Sequence, residues 1–297
     1  FDEARNDSMK LIPDDADICI SVDLDEVFEE GWSKIAKEKW TDKVFRARYR
    51  YTWSFNPDGS EGVVFMADKM HKNKAFKWVN PVHEVLSPIE DKPYITIDLP
   101  ELRLYHKADE TKSRSSYLPL LELSVQEDPT NDRNMHYLGR EYMFYGKYEK
   151  AIETLRKHLA LPSATWKDER AASYRFIGYC YKKLGKFDEA EENFLKAILE
   201  ADYVREPYYD LGEFYYDNER YLKSAVAFEE MLKIDSRYLN YMSAPKCWGK
   251  LPYDYLAYCY YKLGDYSKAI ENTDKALSFG EDERLSGNKR YFESKLK

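Results

Sequence analysis

The feature that most constrains this chain is a pattern that recurs four times in its second half. Each copy has a small residue at one position, occupied by Gly139, Gly178, Gly212 and Ala257. Every copy has a tyrosine three positions later, an aromatic residue nine positions later and a second small residue twelve positions later. The copies are spaced by 39, 34 and 45 residues, which predicts an array of similar structural units rather than one irregular domain.

This spacing is typical of two packed helices joined by a tight turn. A small residue lets the second helix approach closely, and Gly146, Gly185 and Gly264, seven positions further on, supply the positive φ that ends a helix. The pattern resembles the tetratricopeptide repeat, and the resemblance implies a helical solenoid of about four helix pairs over residues 126–297. Extra residues are expected around 238–250. Because some tyrosines must point outward, we expect a peptide or protein partner, or a homodimer formed through the repeats.

The first part of the chain mixes strands and helices. The apolar run 18–22 precedes acidic residues, which is typical of a buried strand in a parallel sheet. Alternation over 45–53 and the apolar return at 63–67 predict a hairpin with arginines on one face. Further strands are predicted at 94–97 and 102–105, and helices at 31–40 and 112–126. An α/β domain over residues 1–125 is therefore expected before the all-α repeats.

Composition narrows the classes of partner. The 54 acidic residues outnumber the 46 basic ones, and a net charge of -8 disfavours general binding to nucleic acids or anionic membranes. No apolar run reaches the ~18 to 20 residues of a membrane span, and residues 1–10 lack a signal-peptide pattern. The four cysteines form no C-x-x-C pair, which argues against a disulfide framework or a zinc knuckle. We expect a cytoplasmic protein.

An acidic segment follows the apolar run. Asp23 and Asp25 are two positions apart, so in an extended strand both carboxylates lie on one side and can share a divalent cation such as Mg²⁺ or Mn²⁺. In the competing interpretation this is an ordinary acidic turn, whose carboxylates favour the N-terminus of the following helix. Spacing alone does not decide between a metal site and a structural turn.

The residues around this segment resemble glycosyltransferase family 2. The likeness covers residues 1–125 and consists of ordered motifs, at Phe1 to Asn6, Asp17 to Glu26, Lys69 to Lys72, Trp78, Pro81 to Leu86 and Tyr105 to Lys107. The family has a Rossmann-like A-type fold, and some members carry tetratricopeptide repeats after the catalytic domain. In the family, further strands precede the Ala-Arg-Asn segment, so the resemblance implies a partial A-type domain here.

The resemblance also implies an activity and a set of roles. The family transfers a sugar from a nucleotide-sugar donor to an acceptor with inversion, using Mn²⁺ or Mg²⁺. By position, Asp25 and His106 match metal ligands, whereas Arg5 and Asp23 match residues that meet the donor. We choose Glu84 as the catalytic base, because Trp78 and Val82 nearby in sequence could desolvate its carboxylate.

Each role has a structural alternative. His106 could be an ordinary histidine at a strand end, and Glu84 could form an ion pair with Arg103 or a lysine. A basic cluster could hold a diphosphate or form a solvated face; its members are Lys69, His71, Lys72, Lys74 and Lys77.

Three functions therefore compete. The first is a metal-dependent inverting glycosyltransferase whose repeats bind a protein acceptor or dimerise. The second is a non-catalytic tetratricopeptide adaptor that carries a degenerate enzyme-like domain. The third, a nucleotidyltransferase or phosphohydrolase using the same carboxylates, is disfavoured because the chain has no Walker-type glycine loop.

Overall fold

A computed structural model describes residues 1–56, 58–108 and 117–296. The chain divides into two compact units. The first contains Phe1–Pro129 together with Leu239–Ser243, and the second contains Thr130–Tyr238 and Ala244–Lys297. The segment that the repeat spacing marks as an insertion therefore contributes five residues to the first unit.

The first unit is built on a five-stranded sheet. In chain order its elements are α1 (Asp2–Met9), β1 (Ile18–Ile20), β2 (Glu26–Phe28), α2 (Trp32–Lys39), β3 (Val44–Thr52), β4 (Val64–Lys72), β5 (Phe76–Val79), β6 (Val85–Pro88), β7 (Ile95–His106) and α3 (Tyr117–Glu127). The sheet order is β1-β4-β3-β7-β2, and β5 and β6 form a separate antiparallel pair. Only β3 and β7 run parallel within the described sheet. The sheet is thus a mixed one.

The predicted hairpin is confirmed, since β3 and β4 pair antiparallel. Their buried residues form the core with β7 and α2, where Tyr49, Met70 and Leu104 are fully buried. The arginine face of β3 is not an open basic surface. Arg46 pairs with Asp68, and the other two arginines of β3 also pair with carboxylates.

The prediction of a parallel strand at β1 is wrong. This strand has three residues, lies at the edge of the described sheet and pairs antiparallel with β4. Its apolar character has another cause: Ile18 and Ile20 pack against the core from half-buried positions, and Cys19 is buried.

The two strands predicted near residues 94–97 and 102–105 are one strand, β7. Neighbouring residues of β3 pair with Leu99 and Arg103 of β7, so an irregularity lies between these two residues and includes Pro100. Because Pro100 has no backbone N–H, the sequence suggests two strands here instead of one. The helix predicted over 112–126 is seen as α3, Tyr117–Glu127, and its first residues, 112–116, lie outside the described residues.

The second unit is an array of antiparallel helix pairs. Its elements are α4 (Asp132–Phe144), α5 (Tyr148–Ala160), α6 (Lys167–Lys183), α7 (Phe187–Glu200), α8 (Arg205–Asp217), α9 (Tyr221–Leu232), a 3-10 turn (Pro245–Cys247), α10 (Leu251–Lys262), α11 (Tyr266–Leu277) and α12 (Glu283–Lys295). Neighbouring helices pack in sequence order from α4 to α12. Within the described ranges this gives four pairs followed by one further helix.

The repeated small residues do what their spacing predicts. A Cβ atom added to Gly139 would lie 2.5 Å from Cγ of Leu155, and one added to Gly178 or Gly212 would lie 2.9 Å from a phenylalanine ring of the facing helix. The turn glycines have positive φ, and Glu219, at the turn position that has no glycine, also has a positive φ of 55°. Close helix approach and left-handed turns thus explain the repeat pattern.

Two further sequence expectations concern membranes and cysteines. Of the helices in the described part of the chain, none combines the length and apolarity that crossing a bilayer requires. All four cysteines are buried free thiols.

Candidate functional site

The acidic segment lies in the turn between β1 and β2, not within a strand. The expectation that Asp23 and Asp25 point to the same side as strand neighbours is therefore wrong in its geometry. The structure gives the two carboxylates different partners: Asp23 faces Arg5 and Lys69, whereas Asp25 faces His106. Backbone turning, which the two-residue spacing does not reveal, separates their contacts.

Arg5 on α1 contacts both other residues predicted to act on donor and acceptor. Its Nη2 donates to Oδ1 of Asp23 at 2.8 Å, and its Nε lies 3.7 Å from Oε1 of Glu84. The guanidinium also covers the ring of Trp78, 4.9 Å from the centroid. Three of the five predicted site residues, Arg5, Asp23 and Glu84, thus lie together.

Glu84 has a different neighbour from either alternative considered for it. Its carboxylate is 15% exposed and faces Arg5, whereas Arg103 lies 4.0 Å from Glu29. The Trp78 ring that was expected to desolvate Glu84 is covered by the Arg5 guanidinium. The environment of Glu84 is therefore cationic as well as apolar.

Asp23 is held ionised by two cations. Partial burial opposes its charge, but Lys69 and then Arg5 outweigh burial and lower the pKa of this carboxyl below its ordinary value. In return Asp23 raises the pKa of Arg5, although burial of the guanidinium works against that. Asp23 is charged at neutral pH and its charge is compensated.

Lys69 connects this group to a buried carboxylate. Its Nζ lies 3.3 Å from Oδ2 of Asp23 and 3.1 Å from Oε1 of Glu26, whose side chain is almost fully buried. Glu26 also accepts hydrogen bonds from the Tyr51 hydroxyl and the Asp23 amide, each at 2.8 Å. Burial, and after it Glu26, raise the pKa of Tyr51, so its hydroxyl stays protonated and donates.

The network continues from Tyr51 to His106 and Asp25. The Tyr51 and His106 rings lie 6.4 Å apart, and β2–β7 pairing sets Glu26 opposite His106. Nδ1 of His106 lies 3.0 Å from the Trp53 carbonyl oxygen, and Nε2 lies 3.7 Å from Oδ2 of Asp25. All five predicted site residues therefore belong to one continuous set of contacts.

His106 and Asp25 have the donor chemistry of a cation site. A carbonyl can only accept, so Nδ1 of His106 carries a proton, and in the neutral ring Nε2 presents its lone pair on the side of Asp25. The 3.7 Å separation exceeds hydrogen-bond length, yet two ligands of one ion with bonds of about 2.1 Å can stand at such a distance. One carboxylate oxygen and one imidazole nitrogen suit Mn²⁺ better than Mg²⁺, which prefers oxygen. These two residues would supply two ligands to the implied cation.

Sequence reasoning missed Tyr51 and Glu26 as members of this network and gave Lys69 only a place in a basic cluster. That cluster does not form one patch. Lys72 donates to the Asp42 carbonyl, Lys74 pairs with Asp14, and His71 is buried, which lowers its pKa. The alternation of β3 and β4 in the predicted hairpin was the sequence signal that could have placed Tyr51 and Lys69 near each other.

The comparisons with known proteins match the second unit. Models of the tetratricopeptide repeat match residues 171–201 and 251–282, so the predicted repeats are confirmed as tetratricopeptide repeats. No curated protein matches the chain. Nothing in these comparisons supports the glycosyltransferase family 2 resemblance or an A-type fold.

Solved structures with similarity include a crystal structure of MamA, with 23% identity over 54% of this chain and 85% of that chain (TM-score 0.44). PilF of Pseudomonas aeruginosa has 13% identity over 59% of this chain and 72% of its own (TM-score 0.43). YrrB, described as a TPR protein with an unusual peptide-binding site, has 15% identity over 59% of this chain and 82% of its own (TM-score 0.44). At these scores the similarity carries no function from those proteins to this chain.

Proposed function

We propose that the second unit binds a protein partner through its tetratricopeptide repeats. The support is the repeat assignment together with a groove of about 510 Å³ on α5 and α6. The groove is lined by apolar side chains, among them Ile152, Tyr181 and Leu184, and by charged ones of both signs. Such a mixture suits a peptide segment, because apolar contacts supply affinity and the charges select sequence. This function is common to both candidates for the whole chain.

For the first unit we propose metal-dependent transfer of a sugar from a nucleotide-sugar donor with inversion. The observation that carries it is the continuous set of contacts from Glu84 through Arg5, Asp23 and Lys69 and on to His106 and Asp25. Two partly buried cations beside a candidate cation site form an environment suited to a diphosphate.

In this proposal, different residues bind the donor and take the acceptor proton. Arg5 and Lys69 bind and orient the diphosphate, and Asp23 accepts hydrogen bonds from donor hydroxyls. Glu84 takes the proton of the acceptor hydroxyl while the oxygen of that hydroxyl bonds to the anomeric carbon. The bond from the anomeric carbon to the phosphate oxygen breaks, and its electron pair leaves with the diphosphate. A divalent cation at Asp25 and His106 would stabilise the charge that develops on the leaving group.

The second candidate is an adaptor in which the first unit does not catalyse. The comparisons favour it, because they support the repeats alone. The compensation of the Asp23 charge by Lys69 and Arg5 also suits it, since an ion network of this kind can serve the fold without any ligand. The two candidates differ in whether the first unit binds a nucleotide sugar in a cation-dependent way.

Calorimetric titration of the whole chain with uridine and guanosine diphosphate sugars tests this difference. With Mn²⁺ we expect binding that is lost in EDTA and in Asp25→Asn, and kept in Asp15→Asn, where an exposed aspartate undergoes the same change. Binding that ignores both the cation and Asp25 would remove the proposed mechanism. Absence of binding to either sugar class with the cation present would favour the adaptor.

A further inference from the structure

A buried polar cluster lies within the first helices of the second unit, separate from the residues described so far. It consists of His136 on α4, His158 on α5 and Glu169 on α6. One ligand atom from each lies within 4.8 Å of the others. Both histidines are fully buried and Glu169 is 4% exposed, so no bulk water solvates these groups.

Ser173 on α6 sits between the two histidines. Its Oγ lies 2.8 Å from Nδ1 of His136 and 2.9 Å from Nδ1 of His158. The opposite ring nitrogens are different: within the described part of the chain, neither Nε2 atom has a hydrogen-bond partner. A buried polar atom in that state costs free energy comparable to a lost hydrogen bond. Because Nε2 of His158 lies 3.3 Å from Oε1 of Glu169, the atom that most requires an explanation is Nε2 of His136.

The hydrogen-bond donors and acceptors at Ser173 indicate an explanation. A serine hydroxyl can accept two hydrogen bonds, and if it accepts from both Nδ1–H groups, both Nε2 atoms present lone pairs. This is the arrangement of metal-ligating histidines, whose second ring nitrogen donates to an oxygen that fixes the ring. In the alternative arrangement the hydroxyl donates to one ring, whose Nε2 then carries the proton. For His158 that N–H faces Oε1 of Glu169 at 3.3 Å, whereas for His136 it has no hydrogen-bond acceptor within the described part of the chain.

We propose that His136, His158 and Glu169 bind a zinc ion inside the second unit. Two imidazole nitrogens and one carboxylate oxygen form a donor set that zinc takes in proteins, with a water as the fourth ligand. Nε2 of His158 and Oε1 of Glu169 are already 3.3 Å apart, close to the roughly 3.3 Å that separates ligands of a tetrahedral ion with bonds of about 2.0 Å. The other separations, up to 4.8 Å, must shorten by up to about 1.5 Å on binding.

The charges around the cluster are consistent with this site. Burial lowers the pKa of His136 to about 3, so its ring stays neutral, which is the form that binds a metal. Arg133 and Arg140 also act on His136 and oppose added positive charge, whereas Glu169 favours it. The carboxylate of Glu169 is therefore the ligand whose charge matters most.

The site joins three helices of two successive helix pairs. His136 and His158 belong to the pair α4–α5, and Glu169 belongs to α6, the first helix of the next pair. A zinc ion there would cross-link neighbouring repeats at the start of the array. Since a repeat array is stabilised by interfaces between neighbours, the ion would oppose separation of the first pair from the rest.

Metal analysis of the full chain tests the proposal. After equilibration with Zn²⁺ and removal of excess by gel filtration, we expect one zinc per chain bound by the histidine cluster. His158→Gln should weaken zinc binding at least about a hundredfold, as should Glu169→Gln. His106→Gln, which alters a histidine of the first unit, should leave this zinc bound. With Co²⁺ in place of zinc, the wild-type chain should show the strong visible absorption of a tetrahedral ion.

The outcomes separate this site from the cation site of the first unit. Zinc that stays in His158→Gln and is lost from His106→Gln would overturn the proposal. So would a wild-type chain that retains no zinc, or a Co²⁺ complex with only the weak absorption of a six-coordinate ion. The Co²⁺ spectrum uses the wild-type chain alone, so it can overturn the proposal even if His158→Gln does not fold.

Discussion

Replacing Gly139 by alanine should destabilise the second unit, although alanine is the better helix former. The added Cβ would lie 2.5 Å and 2.6 Å from Cγ and Cδ2 of Leu155 and 3.3 Å from its backbone nitrogen. Leu155 is fully buried and cannot move aside without displacing its own neighbours. Overpacking of this kind costs about 1 to 3 kcal/mol, and the helix-propensity gain returns up to about 1 kcal/mol. We expect a net loss of up to about 2 kcal/mol in the free energy of unfolding.

Gly287 provides the matched control. It lies within α12, and an added Cβ meets nothing within 4 Å, so Gly287→Ala should gain stability by about 0.5 to 1 kcal/mol. Urea titrations followed by far-ultraviolet circular dichroism would compare the midpoints of both variants with the wild type at unchanged slope. If Gly139→Ala shifts the midpoint upward, as Gly287→Ala should, then close helix approach does not explain the repeated glycine.

Three further predictions concern single side chains. Lys69 lowers the pKa of Asp23. The stability that this pair contributes is therefore present above the unfolded-state pKa of Asp23 and is lost as the pH falls through the folded-state pKa. Carboxyl NMR should show that the pKa of Asp23 rises in Lys69→Met. Burial raises the pKa of Cys180 to about 12 and that of Cys259 to about 11, so both thiols should resist alkylation at pH 8 until urea unfolds the chain. Phe228→Ala should lower the unfolding free energy by about 3 to 5 kcal/mol in calorimetry, because this ring is fully buried.

The repeats could be predicted from the sequence because their contacts are local and periodic. Gly139 meets Leu155 sixteen positions later, and the equivalent glycines meet residues at the same separation. The residue spacing within each repeat therefore predicts how its two helices pack. The turn at Glu219 is the informative exception, since its positive φ is imposed by the helices on either side and not by the residue itself.

The first unit was harder to predict because its contacts are not local. Asp23 meets Lys69, 46 positions away, and no spacing rule indicates that pairing. The motif order named the five site residues, but the turn after β1 decided that Asp23 and Asp25 face different partners. The antiparallel orientation of β1 was not predicted for the same reason, because it depends on pairing with β4, which lies far away in the sequence.

The buried histidines of the second unit were missed for a different reason. His136 and His158 occupy core-facing positions of helices, 22 residues apart, where a spacing typical of zinc motifs is absent. Three polar ligands on three helices meet only after the helix pairs stack. The signal available was the presence of two histidines in the first repeat, at positions where a repeat array usually buries apolar residues.

Pulsed electron paramagnetic resonance of Mn²⁺ bound to the whole chain with a nucleoside diphosphate tests the central claim most directly. The proposed site predicts two couplings to the manganese electron spin, one from an imidazole nitrogen and one from phosphorus. The nitrogen coupling should vanish in His106→Gln and persist in His158→Gln. Manganese that couples to phosphorus and water alone in the wild-type chain would contradict the assignment of Asp25 and His106 as the cation site.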